Sequence, residues 1–165
     1  MENEFQFDLE RYMSQKNFER IKEFSQDKET PFLVVDLKKV EEKYDELLDS
    51  LPFAKIYYAV KANPAREIIE RLVNLGSGFD AASRAEIELC LSLGAHPDHI
   101  SFGNTVKKPR DIEFAWHAGV TLFAADAEEE LEKIAEFAPE SRVYIRLIVD
   151  ASEADWPLSR KFGCA

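Results

Sequence analysis

Five short apolar stretches recur along this chain with an amphipathic helix pattern between each pair. They centre on Tyr58, Asp80, Phe102, Ala124 and Arg146, a constant step of 22 residues. Strand patterns at Lys55–Val60, Gly78–Ala82, Ile100–Gly103, Thr121–Ala125 and Arg142–Val149 alternate with helices that stop at Gly76, Gly94, Gly119 and near Pro139. An earlier helix pattern, Lys38 to Ser50, puts Leu37, Val40, Tyr44, Leu47 and Leu48 on one face. Apolar strands alternating with amphipathic helices bury both sheet faces and predict parallel pairing. Two architectures satisfy that rhythm, a doubly wound sheet and a (β/α)8 barrel.

The start of the chain differs. Residues 1 to 30 are polar, with Phe5, Phe7, Leu9, Tyr12, Phe18, Ile21 and Phe24 scattered through them, and predict an extended lead-in followed by a helix. Pro31 breaks that pattern, and Phe32 to Leu37 predicts a short strand.

Composition excludes several classes of function. The formal net charge of −11 opposes nucleic-acid binding, which needs Lys and Arg against phosphates. No apolar run approaches the roughly 20 residues of a membrane span. The opening Met1-Glu2-Asn3-Glu4-Phe5 is acidic and lacks the apolar segment of a secretory signal. Two distant cysteines, Cys90 and Cys164, form no metal or redox spacing and suit a reducing cytoplasm.

Polar residues gather at one end of the predicted strands. Lys61, Asn63, Asp80, Ser83, Asn104 and Asp126 fall at or just past strand C-termini, the catalytic end of parallel α/β folds. Helix capping accounts for some of them. Asn63 with Pro64 reads as one helix start, Ser83 to Glu86 as a capping box, and Asp126 to Glu129 as a second. Lys61 has no capping role. Lys61, Asp80 and Arg146 in or after apolar strands predict a buried, charged pocket, since such charges are costly without partners. His96-Pro97-Asp98-His99 reads as a solvated turn rather than a metal site. Glu128-Glu129-Glu130 reads as a solvated helix start, and Lys107-Lys108 as surface lysines within reach of a phosphate.

The block Tyr58-Ala59-Val60-Lys61-Ala62-Asn63 resembles the cofactor-lysine motif of the group IV decarboxylases, which act on ornithine, lysine, arginine and diaminopimelate. The resemblance continues through residues 76–87, through Ile100 to Lys107, at Tyr144-Ile145-Arg146-Leu147, and at Leu158-Ser159-Arg160-Lys161-Phe162-Gly163. It covers about residues 31 to 165, and its wording after Phe79-Asp80 is closest to the ornithine branch. It implies an alanine-racemase-like (β/α)8 barrel, incomplete here, with about five barrel strands present. It implies pyridoxal 5'-phosphate as cofactor and decarboxylation of a basic L-amino acid, ornithine to putrescine, in a cytoplasmic homodimer.

By that resemblance Lys61 is the Schiff-base lysine, and Asp80 and Arg146 are charged residues near cofactor and substrate amine. Ala59 leaves room for the flat ring. Glu86 resembles an active-site carboxylate, a role its capping geometry equally explains. Lys161 is similar to the lysine that pairs with the partner subunit. The family pattern continues with a ring-stacking histidine, a Gly-rich phosphate loop, a Glu for the pyridine nitrogen, and a β domain. None of these appears before Ala165. The expected organisation is therefore a lead-in at 1–30 and the N-terminal part of a barrel at 31–165, within a longer and active protein, the 165 residues alone being inactive. Lysine or diaminopimelate decarboxylation, and a non-catalytic antizyme-inhibitor-like role, are the alternatives.

Overall fold

The computed structural model describes residues 12–149 and 162–165. The chain divides into two compact units between Asp36 and Leu37. The first contains α1, Gln15–Ser25, started by Ser14, whose side chain accepts from the Asn17 amide at 3.3 Å. The extended lead-in expected before it lies outside the described residues. The strand expected at Phe32–Leu37 does not form. Leu37 instead opens the next helix, and Leu33 is 81 % exposed, so this apolar run has no ladder to join.

The second unit begins with α2, Leu37–Ser50. Then follow β1 (Tyr57–Ala59), α3 (Arg66–Asn74), β2 (Gly78–Ala81), α4 (Arg84–Ser92), β3 (Ile100–Phe102), α5 (Pro109–His117), β4 (Leu122–Ala125), α6 (Glu128–Phe137) and β5 (Arg142–Ile145). All four strand pairings are parallel, and the spatial order is β1-β2-β3-β4-β5. A doubly wound sheet reverses direction at a switch point, whereas a barrel adds each new strand beside the last. The unbroken order therefore places these strands in barrel sequence. Beyond β5, Leu147 bridges Cys164 in parallel, which continues the same order.

Alternation along each strand divides the side chains. Phe79, Ala81, Ile100, Phe102, Phe123 and Ala125 are at most 2 % exposed and belong to the apolar core. Ile68, Ile69 and Leu72 of α3, Ile87 and Cys90 of α4, Ile112 and Ala115 of α5, and Ile134 of α6 complete that core from the helices. Asp80 and Ser101, next in register to those residues, therefore point to the opposite, concave face.

Register corrects the 22-residue step. Paired residues lie 21 apart from β1 to β4 (Tyr57↔Gly78, Phe79↔Ile100, Ser101↔Leu122) and 20 apart from β4 to β5 (Leu122↔Arg142). A slip of one residue flips the face. The set Tyr58, Asp80, Phe102, Ala124 and Arg146 thus mixes both faces. The row that shares the concave face is Ala59, Asp80, Ser101 and Leu122.

Helix starts follow the expectations unevenly. Ser83 caps α4 and accepts from the Glu86 amide at 3.3 Å. Glu86 returns the bond by accepting from the Ala82 amide at 2.6 Å. We expect Ser83→Ala to cost about 1 kcal/mol, read by urea unfolding. Asn63 is not the cap of α3. A single 3-10 turn, Val60–Ala62, intervenes, Asn63 accepts from the Ala65 amide at 3.1 Å, and the helix starts at Arg66. Asp126 is not a cap either. Ala127 holds that position without a side-chain bond, and Asp126 Oδ2 accepts from the Gly163 amide at 2.9 Å.

Candidate active site

The concave face carries a cavity of about 330 Å³ lined by Tyr57, Ala59, Asp80, Ser101, Leu122 and Tyr144. All six belong to strands, so the walls are set by parallel register rather than by loops. Ala59 and Asp80 are direct partners across β1 and β2. Lys61 follows Ala59 by two residues, in the 3-10 turn that leaves β1. It lies at the strand's C-terminal end, as its position in the sequence required.

The expectation of a buried charged pocket is corrected. Lys61 and Arg146 are exposed and Asp80 is half-buried. No hydrogen bond or ion pair engages the Lys61 amine among the described residues. Arg146 sits just past β5, with its amide on the Ala125 carbonyl at 2.9 Å and its guanidinium 5.1 Å from the centre of the Phe162 ring. Glu86 is committed to the Ala82 amide and reads as a capping residue. Lys161 lies outside the described residues.

Asp80 is the most tightly organised polar group of the face. Ser101 Oγ donates to its Oδ1 at 2.6 Å, and Tyr144 Oη donates to the same oxygen at 3.4 Å. A Cβ on Gly103 would stand 2.0 Å from Oδ1 and 2.6 Å from Oδ2. Only glycine leaves that space. Partial burial of a residue still 39 % exposed, and then the negative charge of Asp80, push the Tyr144 phenol above its ordinary value. Tyr144 therefore stays protonated at neutral pH and remains a donor.

The buried charges lie elsewhere. Lys107 and Glu130 are 4 % and 3 % exposed, where a surface lysine and a solvated helix start were expected. Lys107 Nζ meets Glu130 Oε1 at 2.9 Å and donates to the carbonyls of Asn104 at 2.8 Å and Ala124 at 2.6 Å. Lys133 pairs with the other Glu130 oxygen. Glu130 shares the helix face of Ile134, Phe137 and Ala138, a spacing visible in the sequence that marks it as inward-facing. Lys107 is thus a rim clamp between the ends of β3 and β4, out of reach of any surface phosphate.

Other candidates carry no chemistry. His96 caps and His99 closes a 3-10 turn, their rings 6.0 Å apart, and no cluster of three metal-ligating side chains exists among the described residues. Burial pushes the Cys90 thiol up to about 12, helped by the charge of Glu86, so it is no nucleophile at neutral pH. Among the described residues no helix is long and apolar enough to cross a membrane.

The arrangement suits pyridoxal phosphate in three respects. An unengaged primary amine stands at a strand end, where it can condense with an aldehyde. The neighbouring Ala59 is small, and an oriented carboxylate faces the same cavity. Comparison with known proteins agrees. Residues 37–165 match the family described as pyridoxal-dependent decarboxylase, pyridoxal binding domain. The chain is 41 % identical over 140 residues to the chloroplastic ornithine decarboxylase of Nicotiana glauca, covering 84 % of this chain and 32 % of that protein. It is 39 % identical over 132 residues to antizyme inhibitor 2 of Xenopus laevis, covering 80 % of this chain and 29 % of that protein. It superposes on the crystal structure of lysine decarboxylase from Selenomonas ruminantium with a TM-score of 0.80 at 38 % identity, over 92 % of this chain and 39 % of the other. The chain spans about a third of the length of the curated relatives it matches. It belongs to the pyridoxal-dependent decarboxylases, and residues 37–165 are its match to their pyridoxal binding domain.

Proposed function

We propose that this chain supplies the cofactor-binding lysine of a decarboxylase acting on a basic L-amino acid, with L-ornithine, giving putrescine, as the favoured substrate. The observation that carries the reading is the exposed, unengaged Lys61 amine at the end of β1, two residues past the Ala59–Asp80 register pair. Pyridoxal phosphate, when bound, would supply the electron sink for the pair left on the substrate carbon as carbon dioxide departs. The residues of this chain do the rest. Lys61 would hold the cofactor through its primary amine. Ala59, small and lining the cavity, would leave room for the flat ring. Asp80 offers a fixed carboxylate to a cationic nitrogen, and Arg146 brings a positive charge to the same strand-end rim. The net charge of −11 does not repel a cationic substrate. Lys161 serves in pairing with a second subunit of a homodimer.

The names of relatives support ornithine, since those from Nicotiana glauca and Rattus norvegicus are ornithine decarboxylases. The Selenomonas relative, named lysine/ornithine decarboxylase, supports lysine as the second substrate. A non-catalytic binding role has support in the Xenopus antizyme inhibitor. Lys61, Asp80 and Arg146 in place argue for catalysis instead. The test is amine production from ornithine, lysine, arginine and diaminopimelate by a polypeptide carrying this segment at its relatives' length. Fastest putrescine release supports the reading. Faster release from another substrate corrects the substrate, and no product from any of them sinks catalysis.

A further inference from the structure

Ser101 is 4 % exposed and stands between Ile100 and Phe102 in the shortest kind of buried strand. A hydroxyl in such a place is costly unless it is bonded. Its bond goes to Asp80 Oδ1 at 2.6 Å, from the adjacent strand. Tyr144, two strands further round on β5, sends its hydroxyl to the same oxygen at 3.4 Å. Gly103 clears the space over both carboxylate oxygens. Three separate features on β3, the turn after it and β5 therefore converge on one carboxylate. Among the described residues none of them donates to Oδ2.

We propose that Ser101 and Tyr144 are positioning residues that lock the Asp80 carboxylate through Oδ1 and leave Oδ2 as the acceptor for the nitrogen chemistry at Lys61. Neither side chain needs to touch cofactor or substrate. Each acts by stopping rotation of the carboxylate, so that its free oxygen keeps one direction. The proposal rests on the reading of Lys61 as the cofactor lysine.

Two experiments on the 165-residue chain test it. The first needs no cofactor. Carbon-13-labelled tyrosine is titrated by NMR, with Tyr144→Phe identifying the Tyr144 resonance. Asp80→Asn removes the charge that helps to hold the phenol up, so the Tyr144 midpoint falls. An unmoved midpoint overturns the Tyr144 contact. The second follows the rate of borohydride-trapped pyridoxyl adduct at Lys61. Ser101→Ala and Tyr144→Phe each slow it by about tenfold, the scale of one hydrogen bond to a charged group. Ser101→Thr keeps the hydroxyl and restores the rate. In an Asp80→Asn background Ser101→Ala has no further effect, because the serine acts only through that carboxylate. Equal slowing in both backgrounds overturns the proposal. Absence of any Lys61 adduct in an unmutated polypeptide carrying this segment at its relatives' length defeats the functional reading instead, and the tyrosine titration then decides the positioning by itself.

Discussion

Glu130→Gln destabilises the chain by about 3–5 kcal/mol, the cost of leaving a buried ammonium without its counter-charge. Lys107 loses its 2.9 Å ion pair while its side chain remains fully enclosed. The carbonyls of Asn104 and Ala124 still accept from it, but neither carries a full charge. Burial is already the largest influence on Lys107 and lowers its pKa, and Glu130 is the main opposing influence. Removing Glu130 depresses the pKa further. The folded variant then binds this proton more weakly than the unfolded chain does. Stability therefore rises as pH is raised from the depressed folded value towards the ordinary lysine value. Urea unfolding of the variant from pH 7 to pH 10 should show that recovery, and the parent chain should show less of it. Replacing both partners, Lys107→Met with Glu130→Leu, should recover most of the loss, since an apolar pair carries no desolvation cost. A loss under about 1 kcal/mol for Glu130→Gln would mean that the pair is not sealed from water.

Lys61→Ala has the opposite profile. Lys61 is exposed and engages no partner among the described residues, so the substitution changes stability by no more than about 0.5 kcal/mol. On the proposed role of Lys61 as the cofactor lysine, the expected effect on chemistry is total. The covalent route to the cofactor needs a primary amine at that position, and alanine has none. In a polypeptide of the relatives' length, turnover and cofactor absorbance both disappear while the unfolding curve stays in place. Retained turnover would transfer the role to another lysine.

These two lysines mark what could be read from the sequence. Strand-helix alternation placed all five strands, because short apolar runs bounded by caps and glycines leave few other solutions. Ser83 was legible as a cap because Glu86 answers it within one turn. Asn63 and Asp126 have the same local look, yet a 3-10 turn displaces the first and a bond to Gly163 recruits the second. The second cause lies 37 residues away, beyond any local pattern. Lys61 was expected to be buried because it follows an apolar strand, but it lies in a 3-10 turn just past the strand end, where solvent reaches it. Lys107 was misread because its partner is 23 residues on, one full strand-helix unit away. Ser101 and Tyr144 were not singled out at all. They lie 21 and 64 residues from Asp80, and only parallel register brings them to one face. The assumed step of 22 pointed to Phe102 instead of Ser101, one residue off and on the wrong side of the sheet.

The sheet and its C-terminal rim therefore divide the labour. A buried ion pair fixes the ends of β3 and β4, a hydroxyl pair bonds Asp80, and the Lys61 amine is left without a bonded partner among the described residues. A site of this kind keeps its reactive group free and its supporting groups bonded. The measurement that bears most directly on this account is borohydride trapping of the purified chain with pyridoxal phosphate, followed by peptide mapping. The account predicts that the pyridoxyl group is found predominantly on Lys61 and that Lys61→Ala reduces trapping to the background of the other exposed lysines. A label spread evenly over the surface lysines, or unchanged by Lys61→Ala, would contradict it.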